Sequence, residues 1–237
     1  MTERTWERYG AATGIAFGLL LLVAIFGAPQ PPHVDASAQK ILAYYGDHRH
    51  AVLTAGVFGA FSTLAAVLFI SHLRHVFDRV EHGIEGLAAV VYAAGIGAVA
   101  VSMLSGIIQT TLAFTTVQPG DLVDGGTARA LYDMAWVSNG MTFLLSSLFL
   151  AAIAVGMVRG EVATPALGWF AAVISLACVT AGVGELTVSS YSAAWNAIGL
   201  VAIVGMGAWA ITAGATMMAH PEAEAVARHR SLIAASH

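Results

Sequence analysis

Between Leu131 and Gly140 the chain reads Leu-Tyr-Asp-Met-Ala-Trp-Val-Ser-Asn-Gly, an apolar stretch that carries Asp133, Ser138 and Asn139. A carboxylate inside a bilayer costs several kcal/mol and normally faces a bundle interior or a wet cavity, so Asp133 marks a place where something is held. Arg129 stands one helical turn before it, and an interfacial ion pair is the plainer account of the same residue. From Asp133, Trp136 and Gly140 fall on its face and Asn139 on the adjoining side. A second acid, Glu185, closes another apolar run, where solvation at the interface is its plainer account. Gln109 shares a helical stripe with Ala98, Ser102, Ser105 and Gly106, small and polar residues that suit close helix packing. His50, Trp195 and Asn196 begin or end runs at the same side. Together His50, Gln109, Asp133, Trp136, Asn139, Glu185, Trp195 and Asn196 form the candidate ligand site. An apolar pocket edged by a few polar groups is the usual form of such sites.

The elements that position these residues follow from composition. Hydrophobic residues make up 58% of the 237 and charged ones 10%, far from the roughly 25% charged of a soluble domain. Uncharged runs extend over 9–34, 51–73, 86–120, 134–158, 162–184 and 186–221. Each exceeds the ~20 residues that a crossing needs. The expected fold is all-α, a single integral membrane domain of six transmembrane helices with spans near 10–28, 51–76, 84–116, 128–157, 165–186 and 193–218. A cytoplasmic tail, 219–237, follows. Arg4 and Arg8 before the first run imitate a signal peptide. Glu3 and Glu7 dilute that basic region, and the Ala36-Ser37-Ala38 triplet lies too far downstream, so the first helix is expected to be retained.

With both termini cytoplasmic, inner segments carry Arg4, Arg8, Arg74, Arg79, Arg159, Arg228 and Arg230, and outer ones only Lys40, Arg49 and Arg129. The positive-inside rule favours that orientation. In the first outer loop Ala38, Ile41, Leu42 and Tyr45 recur at i, i+3, i+4 and i+7 behind Asp35 and Ser37 as caps. This predicts a short amphipathic helix that Gly46 stops, with Asp47 capping the next span; a lid and a plain connector fit it equally. Gly10, Gly14 and Gly18 form a small-xxx-small face for another helix of the chain, a second copy or a partner membrane protein. Turn-rich loops are expected at 119–126 and 189–192. The tail from Glu222 to Ile233 reads as a short surface helix.

Several chemistries are disfavoured by residue placement. The sole lysine, Lys40, lies in a loop, which argues against a retinal Schiff base. His33, His48, His50, His72, His75, His82, His220, His229 and His237 fall in loops, helix ends or tails, which argues against bis-histidine haem. No cofactor is predicted. No HExxH, GxSxG or P-loop pattern occurs, and the net charge of −4 is not gathered into a nucleic-acid surface. Cys178 is alone and forms no intrachain disulfide. His72 and His75 share a face but read as a solvated helix end, and metal binding by His48, His50, Asp133 and Glu185 lacks a gathered ligand set.

The ordered features Trp6-Glu7-Arg8-Tyr9-Gly10, Pro31-Pro32 and Tyr44-Tyr45-Gly46-Asp47-His48-Arg49 resemble a family of actinobacterial multi-pass membrane proteins of unknown function. The resemblance is clearest over residues 1–100. It implies a bacterial plasma-membrane protein and brings no catalytic residues. Three function classes stay open. The chain binds or transports a lipophilic small molecule or lipid through an outward-facing cavity; or it is an accessory subunit packed against a partner; or, the least favoured, it is a metal-dependent or acid/base enzyme.

Overall fold

The structure is a computed structural model and describes residues 3–80, 86–116, 123–159, 164–187 and 192–219. The helices α1 (Glu3–Phe26), α2 (Ala38–Asp47), α3 (Arg49–Val80), α4 (Leu87–Thr115), α5 (Gly125–Val158), α6 (Pro165–Thr187) and α7 (Ala193–Ala219) follow one another, with no strand among the described residues. All but α2 are long and apolar enough to cross a membrane. The architecture is therefore an all-α bundle of six spanning helices. At 34 residues, α5 is about 51 Å long at 1.5 Å per residue, well beyond the ~30 Å hydrocarbon layer. Its ends therefore stand in the interfacial zones, which is where Arg129 and Asp133 lie.

Contacts run α1 on α3, α3 on α4, α4 on α5, α5 on α6, α6 on α7 and α7 back on α1, so the six spans close into a ring in chain order. The start of α1 and the end of α7 fall at one end of the ring, the terminus end. At the opposite end α2 lies across α3, α4 and α5.

Glycine lets the ring close. A Cβ on Gly10 would stand 2.5 Å from the His72 ring, and one on Gly14 2.6 Å from Phe69, both of α3; at Gly18 it would collide with the Gly207 carbonyl of α7. The glycine face anticipated from spacing is thus filled by α3 and α7 of the same chain. In lipid, helices gain nothing by leaving an apolar solvent, so contact density of this kind and interhelical hydrogen bonds hold them.

The terminus half of the ring is solid. Fully buried Trp209 of α7 lies 6.1 Å from Phe69 of α3 and 6.3 Å from Phe149 of α5, and its Nε1 donates to the Leu167 carbonyl of α6 at 3.3 Å. Leu73, Phe77, Leu150, Ile153 and Met157 complete this core. His72, read as part of a solvated helix end, is instead buried (7% exposed), because α1 starts at Glu3 and covers that part of α3; His75 is exposed.

The caps differ in detail from expectation. Ser37 accepts from the Lys40 amide at 3.4 Å and caps α2. Gly46 does not stop that helix, which runs through Asp47 and ends as His48 leaves helical geometry (φ −106°, ψ 17°). Because α3 starts at Arg49, Asp47 is the last residue of α2 and caps nothing. Gly86, at φ +90°, takes the left-handed conformation that admits glycine most easily and precedes α4. The tail, the turn at 119–122 and most of the 189–192 loop lie outside the described residues.

Candidate functional site

At the α2 end, the segment 29–47 is strapped onto the ring by side chains of α2 and α5. Arg129 donates through Nη1 to the Ala36 carbonyl (2.7 Å), through Nη2 to the Val34 carbonyl (2.6 Å) and through Nε to Asp133 Oδ2 (3.0 Å). A planar guanidinium presents its N–H groups in a fixed fork and so satisfies three acceptors at once. The Tyr132 hydroxyl donates to the Pro32 carbonyl and that of Tyr44 to the Pro29 carbonyl. Ile41 and Tyr45 of α2 are buried against Leu112, Ala113, Ala128 and Tyr132, with the Tyr45 and Tyr132 rings 6.4 Å apart, edge to face. Burial pushes the Tyr44 and Tyr45 phenols above their ordinary range, so both stay neutral. Asp133 is thereby the partner of Arg129, half exposed (47%) at the end of the bundle, as the i, i+4 spacing with Arg129 allows.

The second acid has a different setting. On α6, Ala171, Ile174, Cys178 and Ala181 are buried in the main core, and Glu185 continues that stripe one turn beyond Ala181. Its Oε2 is buried and has no hydrogen-bond partner. The backbone around it is fixed. Trp136 Nε1 donates to the Glu185 carbonyl at 3.0 Å. A Cβ on Gly140 of α5 would stand 2.9 Å from Leu186 and 3.3 Å from the Glu185 Cβ, and one on Gly184 would stand 2.5 Å from the Trp195 ring of α7. Small residues therefore let α5, α6 and α7 close around the acid.

Across the ring, the Ser105 hydroxyl of α4 donates to Asn139 Oδ1 of α5 (2.8 Å) and lies 3.3 Å from the Ala135 carbonyl, while Gln109 Nε2 donates to Ser105 (3.3 Å). Gly95, lower on α4, is wedged between Ile70 of α3 and Phe149 of α5, which defines the interior side of that helix. Ser102 and Gly106 follow it by seven and eleven residues, in phase with it, yet both are exposed and Gly106 has no neighbour in reach of a Cβ. On α7, Gly207 and Gly214 are pressed against α1, whereas Asn196, in phase with them, is exposed. A Cβ on Gly199 would stand 3.9 Å from Phe143 of α5.

The expected site residues thus divide into groups. Gln109 and Asn139 share the Ser105 network; Trp136, Glu185 and Trp195 meet at the α5–α6–α7 junction; Asn196 stands exposed nearby in sequence on α7; Asp133 belongs to the strap. His50 is exposed, in phase with the exposed Val57, Leu64 and Leu68 on the outer face of α3. Hydrogen bonding does not join Asp133 to Glu185, and among the described residues no three His, Cys, Asp or Glu gather as metal ligands, His48 and His50 included. Sequence reasoning missed Phe143 and Gly199 as facing partners, and missed the α2-strap contacts to Pro32, Val34 and Ala36. The former had a signal in their interior helical phase; the latter, to backbone carbonyls, had none.

Six apolar spans, a closed ring and internally satisfied helices define a multi-pass helical membrane protein. No family model matches the chain, and no curated protein or solved structure is significantly similar to it.

Proposed function

We propose that the chain binds or transports a lipophilic small molecule or lipid in the α2-end half of the ring, with that end facing outward from a bacterial plasma membrane and α2 as a fixed rim beside the entrance. One observation carries this reading: residues on the interior side of α4, Ser102 and Gly106, are exposed above a core that is solid at Phe69, Phe149 and Trp209. Asn139, Phe143 and Glu185 lie on the interior stripes around that opening, an apolar surface with few polar groups. The excess of arginine at the terminus end supports the orientation.

Cysteine accessibility tests it. In a Cys178→Ala background, which removes the one native and buried thiol, Ser102→Cys is expected to react with a membrane-impermeant maleimide added to intact cells. A neutral aromatic solute such as triphenylphosphine oxide is expected to slow that labelling. Val91→Cys, in the solid half, is expected to stay unlabelled. An unreactive Ser102→Cys removes the outward opening, and labelling only in inverted vesicles reverses the orientation.

A second reading, an accessory subunit, is favoured by an open apolar groove of about 360 Å³ between α6 and α7, lined by Val173, Leu176, Ala177, Thr180, Ala197, Ile198 and Val201. Its large aliphatic residues, Val173 and Leu176 above all, are exposed toward lipid. Co-purification of a stoichiometric membrane partner that is lost on Ala177→Trp would favour it.

A further inference from the structure

The interior opening is taken from the proposed function, and the ligand class is what is added to it. We propose that the site selects lipophilic cations, an amine or onium group carried on an apolar body, with the Glu185 carboxylate as counter-ion.

The buried Glu185 Oε2 has no protein partner, and a buried charge without one is costly. None of the described lysine and arginine side chains at this end pairs with Glu185: Arg129 holds Asp133 and two strap carbonyls, Arg49 lies over the Phe114 ring at 5.7 Å with its buried Nε unbonded, and Lys40 is exposed on α2. A neutral ligand supplies no charge, so the buried acid then stays protonated or uncompensated, and an anion adds repulsion. A cation supplies the missing charge. Its nature follows from the surroundings: a bare divalent metal needs several ligands, and among the described residues no such group is assembled. Below Glu185 the stripe of Ala181, Cys178 and Ile174, with Phe143 on the neighbouring helix, is apolar and packed into the core. The acid thus stands at the edge of hydrocarbon with no second charge in the stripe beneath it, a setting that suits a cation carried on an apolar body. Trp136, tied to the Glu185 carbonyl, and the Gly140 contact fix the helix turn that carries the acid, so the counter-ion is positioned before the ligand arrives.

Tetraphenylphosphonium and tetraphenylborate have the same shape and opposite charge, and triphenylphosphine oxide is a neutral relative. Binding of each to the full chain in lipid nanodiscs, corrected with empty discs, is measured by tryptophan fluorescence and by protection of Ser102→Cys. Phosphonium is expected to bind the native chain at least about tenfold tighter than borate. Glu185→Gln is expected to lose about tenfold or more of the phosphonium affinity, and Glu185→Asp to keep part of it. A monodisperse Glu185→Gln protein with native helicity that is still protected by phosphine oxide, as strongly or more so, separates loss of charge from loss of fold. Equal phosphonium affinity in the native and Glu185→Gln chains overturns the inference, as does borate binding as tight as phosphonium or no phosphonium binding at all. Phosphine oxide protection that persists in those cases leaves the interior site standing and removes only the cation. Absence of protection by all three solutes removes both.

Discussion

Asp133 and Glu185 are the acids that the sequence singles out in or beside apolar helices, and the ring handles them in opposite ways. Around Asp133, in the sector that α2 covers, the ion pair is fully answered: Arg129 is saturated by a carboxylate and two carbonyls, and Tyr132 and Tyr44 have acceptors, although the buried Tyr45 hydroxyl and Arg49 Nε have none. Around Glu185, at the α5–α6–α7 junction, the backbone is held by Trp136 and by glycine contacts while the buried carboxylate oxygen is left alone. The difference separates an acid that holds the fold from an acid whose buried oxygen no protein group satisfies. It also shows that a charge in an apolar helix is ambiguous until its partners are known, since unusual residue type alone gave Asp133 first place.

Substitutions in the two sectors should therefore behave differently. The largest loss is expected for Arg129→Ala, which removes two charge-assisted bonds to the strap backbone and strands Asp133. Such bonds are worth roughly 1.5–3 kcal/mol each when buried; with Arg129 one-third exposed, the net loss is expected near ~2 kcal/mol. Unfolding in mixed micelles would measure it, and trypsin should cut faster after Lys40. Arg129→Lys should recover little, because an ammonium lacks the fork. An unchanged midpoint and unchanged cleavage would mean that the strap is not what holds α2. Next, Tyr132→Phe deletes only the bond to Pro32 and is expected to cost about 1 kcal/mol in the same assay.

Much of this arrangement is legible in the chain. Uncharged runs give the six spans, the i, i+3, i+4, i+7 pattern from Ala38 gives α2, and the Arg129–Asp133 spacing gives an ion pair that the structure contains. What hides is whatever depends on a distant backbone. Arg129 meets Val34 and Ala36, and Tyr132 meets Pro32, across about a hundred residues of chain, and a carbonyl acceptor carries no residue-type signature. Gly46 misleads because glycine in a helix costs only about 1 kcal/mol, less than burial of Ile41 and Tyr45 on the same helix returns. His50 misleads because depth was judged without helical phase. His72 does so because the span that covers it begins earlier than hydropathy indicates.

In the other sector, Glu185→Gln should do little to the empty protein or stabilise it, by up to about 1 kcal/mol, since it replaces an unpartnered charge by a neutral group of the same shape. The sign is the informative part. A loss beyond ~2 kcal/mol, the size expected when a buried hydrogen-bonded charge is broken, would show that Glu185 has a structural partner after all and would erase the contrast with Asp133.

The smallest effect is expected at Asp124, fully exposed, whose carboxylate accepts from the Thr127 amide and hydroxyl at 2.9 Å each and caps α5 beside the strap. The Thr127 amide, then its hydroxyl, hold the Asp124 carboxyl below its ordinary value. A depressed folded pKa stabilises the fold only while the carboxylate is ionised. The contribution is therefore complete above the ordinary aspartate range and fades as pH falls through the lower folded value. Asp124→Asn keeps an oxygen for the cap but cannot titrate. The midpoint difference between native chain and Asp124→Asn should thus shrink on acidification, while Asp35, Asp47 and Asp133, common to both, cancel. A difference that grows with acid would mean that the cap charge is not favoured in the folded state, and Asp124→Ala, which loses the oxygen too, should lie below Asp124→Asn throughout.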